Sequence, residues 1–415
     1  MDEDDLKKLI NLKTTDDIIT KFCNCHILRD HQFVKDDLYV RNGKILDSLD
    51  LFYKERHSPH LVVDCKGNYI APGLIDLQIN GGFGYDFSYH GHTEEAVKVV
   101  SKKLLQHGVT GYCPTVVTSP AYVYHDILTK IPKTKGSQDG AAILGIHAEG
   151  PFINKEKKGA HPEKYILPHK GSLKQVKETY GEGYGNITII TLAPEFNRSD
   201  AIIKKLKMDN KIVSLGHSVA NLAQGESAVK NGASFITHLF NAMLPFHHRD
   251  PGLVGLLTSD QFPSKDLYFG IISDGIHTHP SALRIAYKVH PDGLVLVTDA
   301  LSALGLKDGR HKIGQMDVEI RGGMAFVAGT NTLCGSVASM IECVRFFINA
   351  TGCPWEYALE AASLHPAKVL GIDDKKGRLN AGADADFIVL DSHLQLRSTW
   401  IAGEKVYDNL RPDHL

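Results

Sequence analysis

The chain has 415 residues, 43% of them hydrophobic and 23% charged, with a formal net charge of −2. That length supports one large core and a smaller one, and the near-neutral charge excludes the basic field of a nucleic-acid or anionic-membrane binder. No apolar run approaches the ~18 residues needed to cross a bilayer, and the opening MDEDDLKKLINLKTTDD has no apolar region of a secretory signal. Seven scattered cysteines without a C-x-x-C pair fit a reducing compartment. The expectation is a soluble, cytoplasmic enzyme with no nucleic-acid or membrane partner.

Taken in order, residues 1 to about 20 read as a polar, acidic helical extension. Residues 21 to 70 carry short strand-like runs, and Asn42-Gly43 and Lys66-Gly67 signal hairpins, so this part reads as an antiparallel β module. The rhythm changes at Ala71-Pro72. Eight apolar runs now recur, each ending in polar or glycine residues: GLIDLQING, GVTGYCPTVVT, AAILGIHAEG, ITIITLAPE, KIVSLGHS, SFITHLFN, LYFGIISDGIH and GLVLVTDALSA. Helical stretches such as Glu94–Gln106 and Ser281–Val289 separate most of them. Parallel strands buried on both faces read as continuous apolar runs, so the pattern predicts a (β/α)8 barrel. HKIGQMDVEIRGGMAFVAG then reads as a hairpin insertion, helices are expected over Ser336–Asn349 and Trp355–Ser363, and the tail returns to short strands. The predicted fold is α/β: a catalytic (β/α)8 TIM-type barrel over residues 72–374, with a small composite β-sandwich domain contributed by both termini, 1–71 and 375–415.

The chemistry concentrates at the strand ends. In IVSLGHSVANLAQGESAVKNGASFITHLFNAM, the runs Ile212–Leu215 and Ser234–Ile236 each lead into a histidine, His217 and His238, 21 residues apart (238 − 217). Between them Asn221–Lys230 reads as a helix stopped by Asn231-Gly232. One strand-helix-strand step therefore delivers two imidazoles to the same end of a sheet, an arrangement suited to a zinc-type metal. The other strand ends offer Gln78 and Asn80, Thr115, Glu149, Glu195, Asn241, Asp274 with His277, and Asp299. Glu149, His217 and His238 make a three-ligand set that leaves a position for water, and Asp299 beside it is a candidate general base. Each residue also has a plainer reading. A lone strand-end histidine is more often structural, Glu149 can cap the Gly150-Pro151 loop or pair with a lysine, Asp299 can start a helix, and Asp274-Gly275 can be only a turn. Their coincidence at equivalent strand ends favours the metal site. His247-His248-Arg249 offers a guanidinium fork for phosphate, and equally reads as a solvated basic loop.

With these residues the chain resembles the amidohydrolase superfamily. The match runs from APGLIDLQINGG to GRLNAGADADFIVLD, and its most specific pieces are HAEGPFI with KKGAHP, SLGHS, THLFNAM with HHRDPG, SDGIHTHP, VTDAL and LCGS. The resemblance implies one divalent metal ion per chain, Zn2+ or another divalent transition metal, on Glu149, His217 and His238. It implies Asp299 as the acid/base and His161 as the group that polarises the acetyl carbonyl. Asn241, Ala242, Arg249, Asp274, Gly275, Ile276 and His277 would bind a phosphorylated amino sugar, with Ala160, Leu333, Cys334 and Gly335 lining the pocket. The implied reaction takes N-acetyl-D-glucosamine 6-phosphate to D-glucosamine 6-phosphate and acetate, in a homodimer whose Arg249 reaches the neighbour's site. Many superfamily members carry His-x-His on the first strand and a modified lysine on the fourth. This chain has Gln78-x-Asn80 and Glu195 there, and amides bind zinc poorly, which favours a single metal. Two other readings stay open: an amidohydrolase acting on another N-acylated substrate, and a barrel scaffold without catalysis.

Overall fold

The computed structural model describes residues 18–313, 316–322, 324–330 and 333–409. Eight parallel strands form the larger body: β1 (Leu74–Ile79), β2 (Val109–Val117), β3 (Ile146–Glu149), β4 (Ile187–Leu192), β5 (Ile212–Leu215), β6 (Ala233–Ile236), β7 (Tyr268–Ile272) and β8 (Leu294–Val297). Each pairs in parallel with the next. The ring closes just past β8, where Asn80 N donates to Ala300 O and Asp299 N donates to Gln78 O, both at 2.8 Å. Ile75, Leu77, Phe235, Val295 and Val297 share the inner cluster. Their neighbours Leu74, Ile236, Leu294 and Leu296 pack in the outer one, with the helices. A buried Leu, Ile or Phe side chain contributes ~1.5–3 kcal/mol, so both faces demand apolar residues and the runs lose the alternation of a half-exposed strand.

The connections are α1 (Thr93–Leu104), α2 (Ala121–Ile127), α3 (Leu173–Tyr180), α4 (Ser199–Met208), α5 (Leu222–Lys230) and α6 (Pro280–Val289). A 3-10 segment, Gly252–Thr258, stands between β6 and β7, and α7 (Met340–Thr351) follows β8. The helix between the two histidine strands, α5, is the one the sequence predicts. Asn221 accepts from Gln224 N at 2.9 Å while the Gln224 side chain accepts from Asn221 N at 3.0 Å. Such a cap contributes ~1 kcal/mol. Gly225 lets α5 lie close on the 3-10 segment, since a Cβ there would sit 3.1 Å from both Leu253 and Leu256.

Both termini build one mixed eight-stranded sheet, ordered Glu404–Asp408, Leu396–Ile401, Phe387–Leu390, Tyr69–Pro72, Thr20–Arg29, Gln32–Arg41 and Lys44–Ile45, with Leu61–Asp64 also paired to Thr20–Arg29. Its core joins the two ends of the chain: Phe22 meets Phe387 and Trp400 edge-on, at 5.0 and 4.9 Å. The expectation of a purely antiparallel module is corrected here. Leu61–Asp64 and Tyr69–Pro72 run parallel to Thr20–Arg29, one after the other along the same strand. Lys66-Gly67 is therefore a kink between two collinear strands. Asn42-Gly43 does close a hairpin. The polar extension expected at the amino terminus falls on residues 1–17, outside the described residues, and Thr20 already belongs to a strand. The insertion after β8 is larger than the hairpin read from sequence. It is a four-stranded antiparallel sheet of Gly309–Ile313, Met316–Arg321, Met324–Val327 and Leu333–Gly335. Among the described residues no helix is long and apolar enough to cross a membrane.

Candidate active site

The carboxyl ends of the barrel strands carry a cluster of residues in unusual backbone conformations. His217, His238 and Asp299 have φ values of 49°, 26° and 46°. A non-glycine residue in this region costs ~1–3 kcal/mol and persists only where its surroundings hold it. Here the two imidazoles meet the Glu149 carboxylate. Glu149 Oε1 lies 3.1 Å from His217 Nε2 and 3.1 Å from His238 Nε2, and the two Nε2 atoms are 3.1 Å apart. Three donors bonded tetrahedrally at 2.0–2.1 Å would be about 3.3 Å apart, so this buried triangle fits a zinc-sized ion after a slight expansion. His217 Nδ1 donates to the Lys157 carbonyl at 2.7 Å, which leaves the Nε2 lone pair for the cation. Burial opposes ionisation of Glu149, but the two imidazoles outweigh it and hold the carboxyl well below its usual range. Burial likewise opposes charge on His238, and Glu149 outweighs it, lifting the imidazole to about 9.

His161 stands beside this triangle. Its Nε2 is 3.9 Å from Glu149 Oε2, and Glu149, His161 and His217 offer donors within 4.8 Å of one another. The triangle that includes His238 is tighter, at 3.1 Å on each edge. Thr118 N donates to His161 Nδ1 at 3.2 Å, so the ring proton belongs on Nε2. Burial, helped by His217, pushes His161 down to about 3, so it is neutral and a hydrogen-bond donor at ordinary pH.

Asp299 lies across from it. Its Oδ1 accepts from Asn80 Nδ2 at 2.7 Å and Gln78 Nε2 at 3.2 Å, and that same Gln78 nitrogen donates to Glu149 Oε1 at 2.9 Å. Burial and the Glu149 charge push Asp299 up to about 6. Gln78 Oε1, Asn80 Oδ1 and His238 Nδ1 are buried without a partner among the described residues. Such atoms cost ~1–3 kcal/mol each, and three around one cluster mark a place where chemistry outweighs stability.

The other expected residues surround this cluster to different degrees. Asp274 Oδ1 accepts from the backbone N–H groups of Ile276 and His277 at 2.9 and 2.8 Å, and its Oδ2 holds His277 Nδ1 at 2.6 Å. Burial opposes the charge on His277, but Asp274 outweighs it and raises the imidazole. Gly275, at φ 76°, has no room for a Cβ beside Phe346. Asn241 N donates to His238 O, and Ala242 O accepts from Ser218 N. Arg249 is exposed, and its guanidinium has no partner among the described residues. Ala160 is exposed next to Gly159, which lies against His217. Of Leu333 and Cys334 only the backbone is described; the strand they share with Gly335 leads to Ser336, whose carbonyl accepts from Leu301 N.

Two residues read as mouth-facing do not reach the cluster. Thr115 sits two positions before the end of β2 and accepts from Ile79 N at 3.0 Å. Glu195 is engaged by Asn154, Ser218 and Val219. Sequence reasoning missed Thr118 and the Lys157 carbonyl. It also missed Asp76, a fully buried carboxyl pushed up to about 7 by burial, which ties β1 to β8 through Thr298. His147, too, lies under the site, bridging the Leu77 carbonyl and Thr191. A polar residue inside an apolar strand run was the available signal for Asp76 and His147. Clefts of about 500 and 680 Å³ open at the other end of the barrel, beside the starts of β7 and β4. Cavity size alone would point there; the donor geometry decides otherwise.

The family model described as "Amidohydrolase family" matches residues 69–409. The chain belongs to the amidohydrolase family. Within this family it is 54% identical over 400 residues to the N-acetylglucosamine-6-phosphate deacetylase of Danio rerio, covering 96% of this chain and 99% of the relative. The crystal structure of N-acetylglucosamine-6-phosphate deacetylase from Pasteurella multocida superposes with a TM-score of 0.82 at 31% identity, covering 94% of this chain and 100% of that one. A point mutant of the Mycobacterium smegmatis enzyme, solved in complex with N-acetyl-D-glucosamine-6-phosphate, superposes with a TM-score of 0.77 at 26% identity, covering 94% and 99%. The amidohydrolase barrel thus carries a buried Glu/His metal-capable group in this chain.

Proposed function

We propose that this chain hydrolyses N-acetyl-D-glucosamine 6-phosphate to D-glucosamine 6-phosphate and acetate. The observation that carries this reading is the 3.1 Å triangle of Glu149, His217 and His238 with Asp299 beside it, linked through Gln78. The near full-length similarity to deacetylases of that substrate supplies the sugar. One divalent ion, Zn2+ in our reading, would be held by the triangle and would supply Lewis-acid polarisation of the acetyl carbonyl and a more acidic water.

The remaining work falls to the chain's own side chains. Asp299, with Oδ1 fixed by the two amides, takes a proton from the attacking water as its oxygen bonds to the acetyl carbon. It then returns that proton to the amide nitrogen as the C–N bond breaks, releasing amine and acetate. Neutral His161 donates its Nε2–H to the carbonyl oxygen as negative charge develops there. Gln78 and Asn80 occupy the places where a second metal's ligands would stand, which supports a single-ion site. Asn241, Ala242, the Asp274–His277 turn, Ala160 and Leu333–Gly335 form the sugar pocket in this reading, and Arg249 is the phosphate clamp. The Arg249 loop is exposed, and its Phe246 is 63% exposed, an apolar side chain that a second copy in a homodimer would cover. We read the barrel as residues 72–374 and the composite sheet as 1–71 with 375–415, with Pro72 the last residue of the sheet strand Tyr69–Pro72. The test is acetate release from N-acetyl sugars with and without a 6-phosphate. N-Acetyl-D-glucosamine 6-phosphate should be the best substrate, and turnover of only unphosphorylated acyl compounds would overturn the assignment.

A further inference from the structure

Glu195, in the turn three residues past the end of β4, is a carboxylate that the reaction does not use. We infer that it is a positioning residue for the metal ligand His217, an inference that rests on the metal site proposed above. The carboxylate holds the chain immediately after that histidine. Oε1 accepts from Val219 N at 2.9 Å and Oε2 from Ser218 Oγ at 2.7 Å, so it grips the two residues that follow His217. Oε1 also accepts from Asn154 Nδ2 at 2.9 Å. Asn154 in turn donates its backbone N–H to the His217 carbonyl at 2.8 Å. Its side-chain oxygen caps the short Lys155–Lys157 turn through Glu156 N, at 2.8 Å. That turn presents the Lys157 carbonyl to His217 Nδ1 at 2.7 Å. One carboxylate therefore ties the loop after β3 to the loop after β5, and the closed circuit runs through both the backbone and the ring of His217.

The circuit has a reason to exist. His217 has φ 49°, a conformation that a histidine abandons unless its neighbours oppose the change. Releasing it would swing Nε2 out of the 3.1 Å triangle. Partners that orient a ligating histidine typically alter metal affinity ~10- to 100-fold when lost.

The experiment uses the full-length protein stripped of metal and titrated with Co2+ alone. It measures the dissociation constant, the visible absorption of the Co2+ complex and the melting temperature of the stripped form. Glu195→Ala should weaken Co2+ binding ~10- to 100-fold and change the absorption bands, because the ligand geometry changes. Glu195→Gln should restore most of both, since its amide oxygen accepts from Asn154 and Val219 and its NH2 donates to Ser218. If Glu195→Ala does not fold, Asn154→Ala breaks the same circuit from the other loop and should move affinity and spectrum in the same direction. A lowered melting temperature with wild-type affinity and spectrum would overturn the inference and leave Glu195 a loop latch. Wild-type protein that binds no Co2+ would instead sink the metal site itself.

Discussion

Replacing Asp299 by Asn tests the proton-transfer chemistry at its centre. Asn80 and Gln78 both donate to Oδ1 at 2.7 and 3.2 Å, so the new side chain must present its carbonyl oxygen to them and its NH2 where Oδ2 stood. The cluster keeps its shape and its hydrogen bonds, but the group that accepts the water's proton is gone. General acid-base catalysis contributes ~10²- to 10⁴-fold, or about 2.7–5.4 kcal/mol of barrier at 1.36 kcal/mol per decade. We therefore expect Asp299→Asn to lose at least ~10²-fold in kcat while metal content stays near that of the wild type. The pH profile adds a second reading. Asp299 must be ionised to act, and burial with the Glu149 charge pushes it up to about 6. Activity should therefore fall as pH drops through that region, and a bound cation, which favours the ionised form, moves this limb lower. The assay is acetate release from about pH 4.5 to 8.5 for both proteins, with metal analysis of each. Near-normal turnover in the variant, or an acid limb above about pH 7 in the wild type, would refute the assignment.

Three further outcomes follow from the same geometry. Arg249→Ala should lower kcat/KM for the phosphorylated sugar roughly 10- to 150-fold, the range of a charge-assisted hydrogen bond of ~1.5–3 kcal/mol, and hardly change the unphosphorylated sugar; equal losses on both would remove the phosphate role. His238 lies near 9 beside Glu149, so below that pH an incoming cation displaces a proton, and affinity should rise about tenfold per pH unit between about pH 6 and 8; a pH-independent dissociation constant against a competing chelator would contradict this. Gln78→His with Asn80→His should recruit a second ion without a gain in rate, because it removes the amides that fix Asp299; a clear rate gain would show that those amides do not tune the acid/base.

The barrel was legible because strands buried on both faces leave continuous apolar runs, and the histidine pair because α5 sets the interval from His217 to His238. What could not be read is direction at the strand ends. The left-handed φ at His217, His238 and Asp299 decides where each side chain points, and no residue type there announces it. Thr115 and Glu195 both read as strand-end residues, yet Thr115 lies inside β2 and turns into the strand ladder, while Glu195 lies three residues past β4 and turns into the neighbouring loops. That Glu149, His217 and His238 converge was legible from their strand ends; the Thr118 and Lys157 contacts that orient the imidazoles were not, since they come from loops distant in sequence. In the small domain, turn residues mark where the chain bends. They do not say whether the next strand returns or continues, which is why Lys66-Gly67 misled where Asn42-Gly43 did not.

The most direct test of the central claim is a titration of chelator-stripped protein with a divalent metal while acetate release from N-acetyl-D-glucosamine 6-phosphate is followed. One complete ligand triangle and a first strand whose amides bind zinc poorly predict activity that rises from near zero and saturates at one ion per chain. Activity that survives stripping, or that needs two ions per chain, would contradict the account.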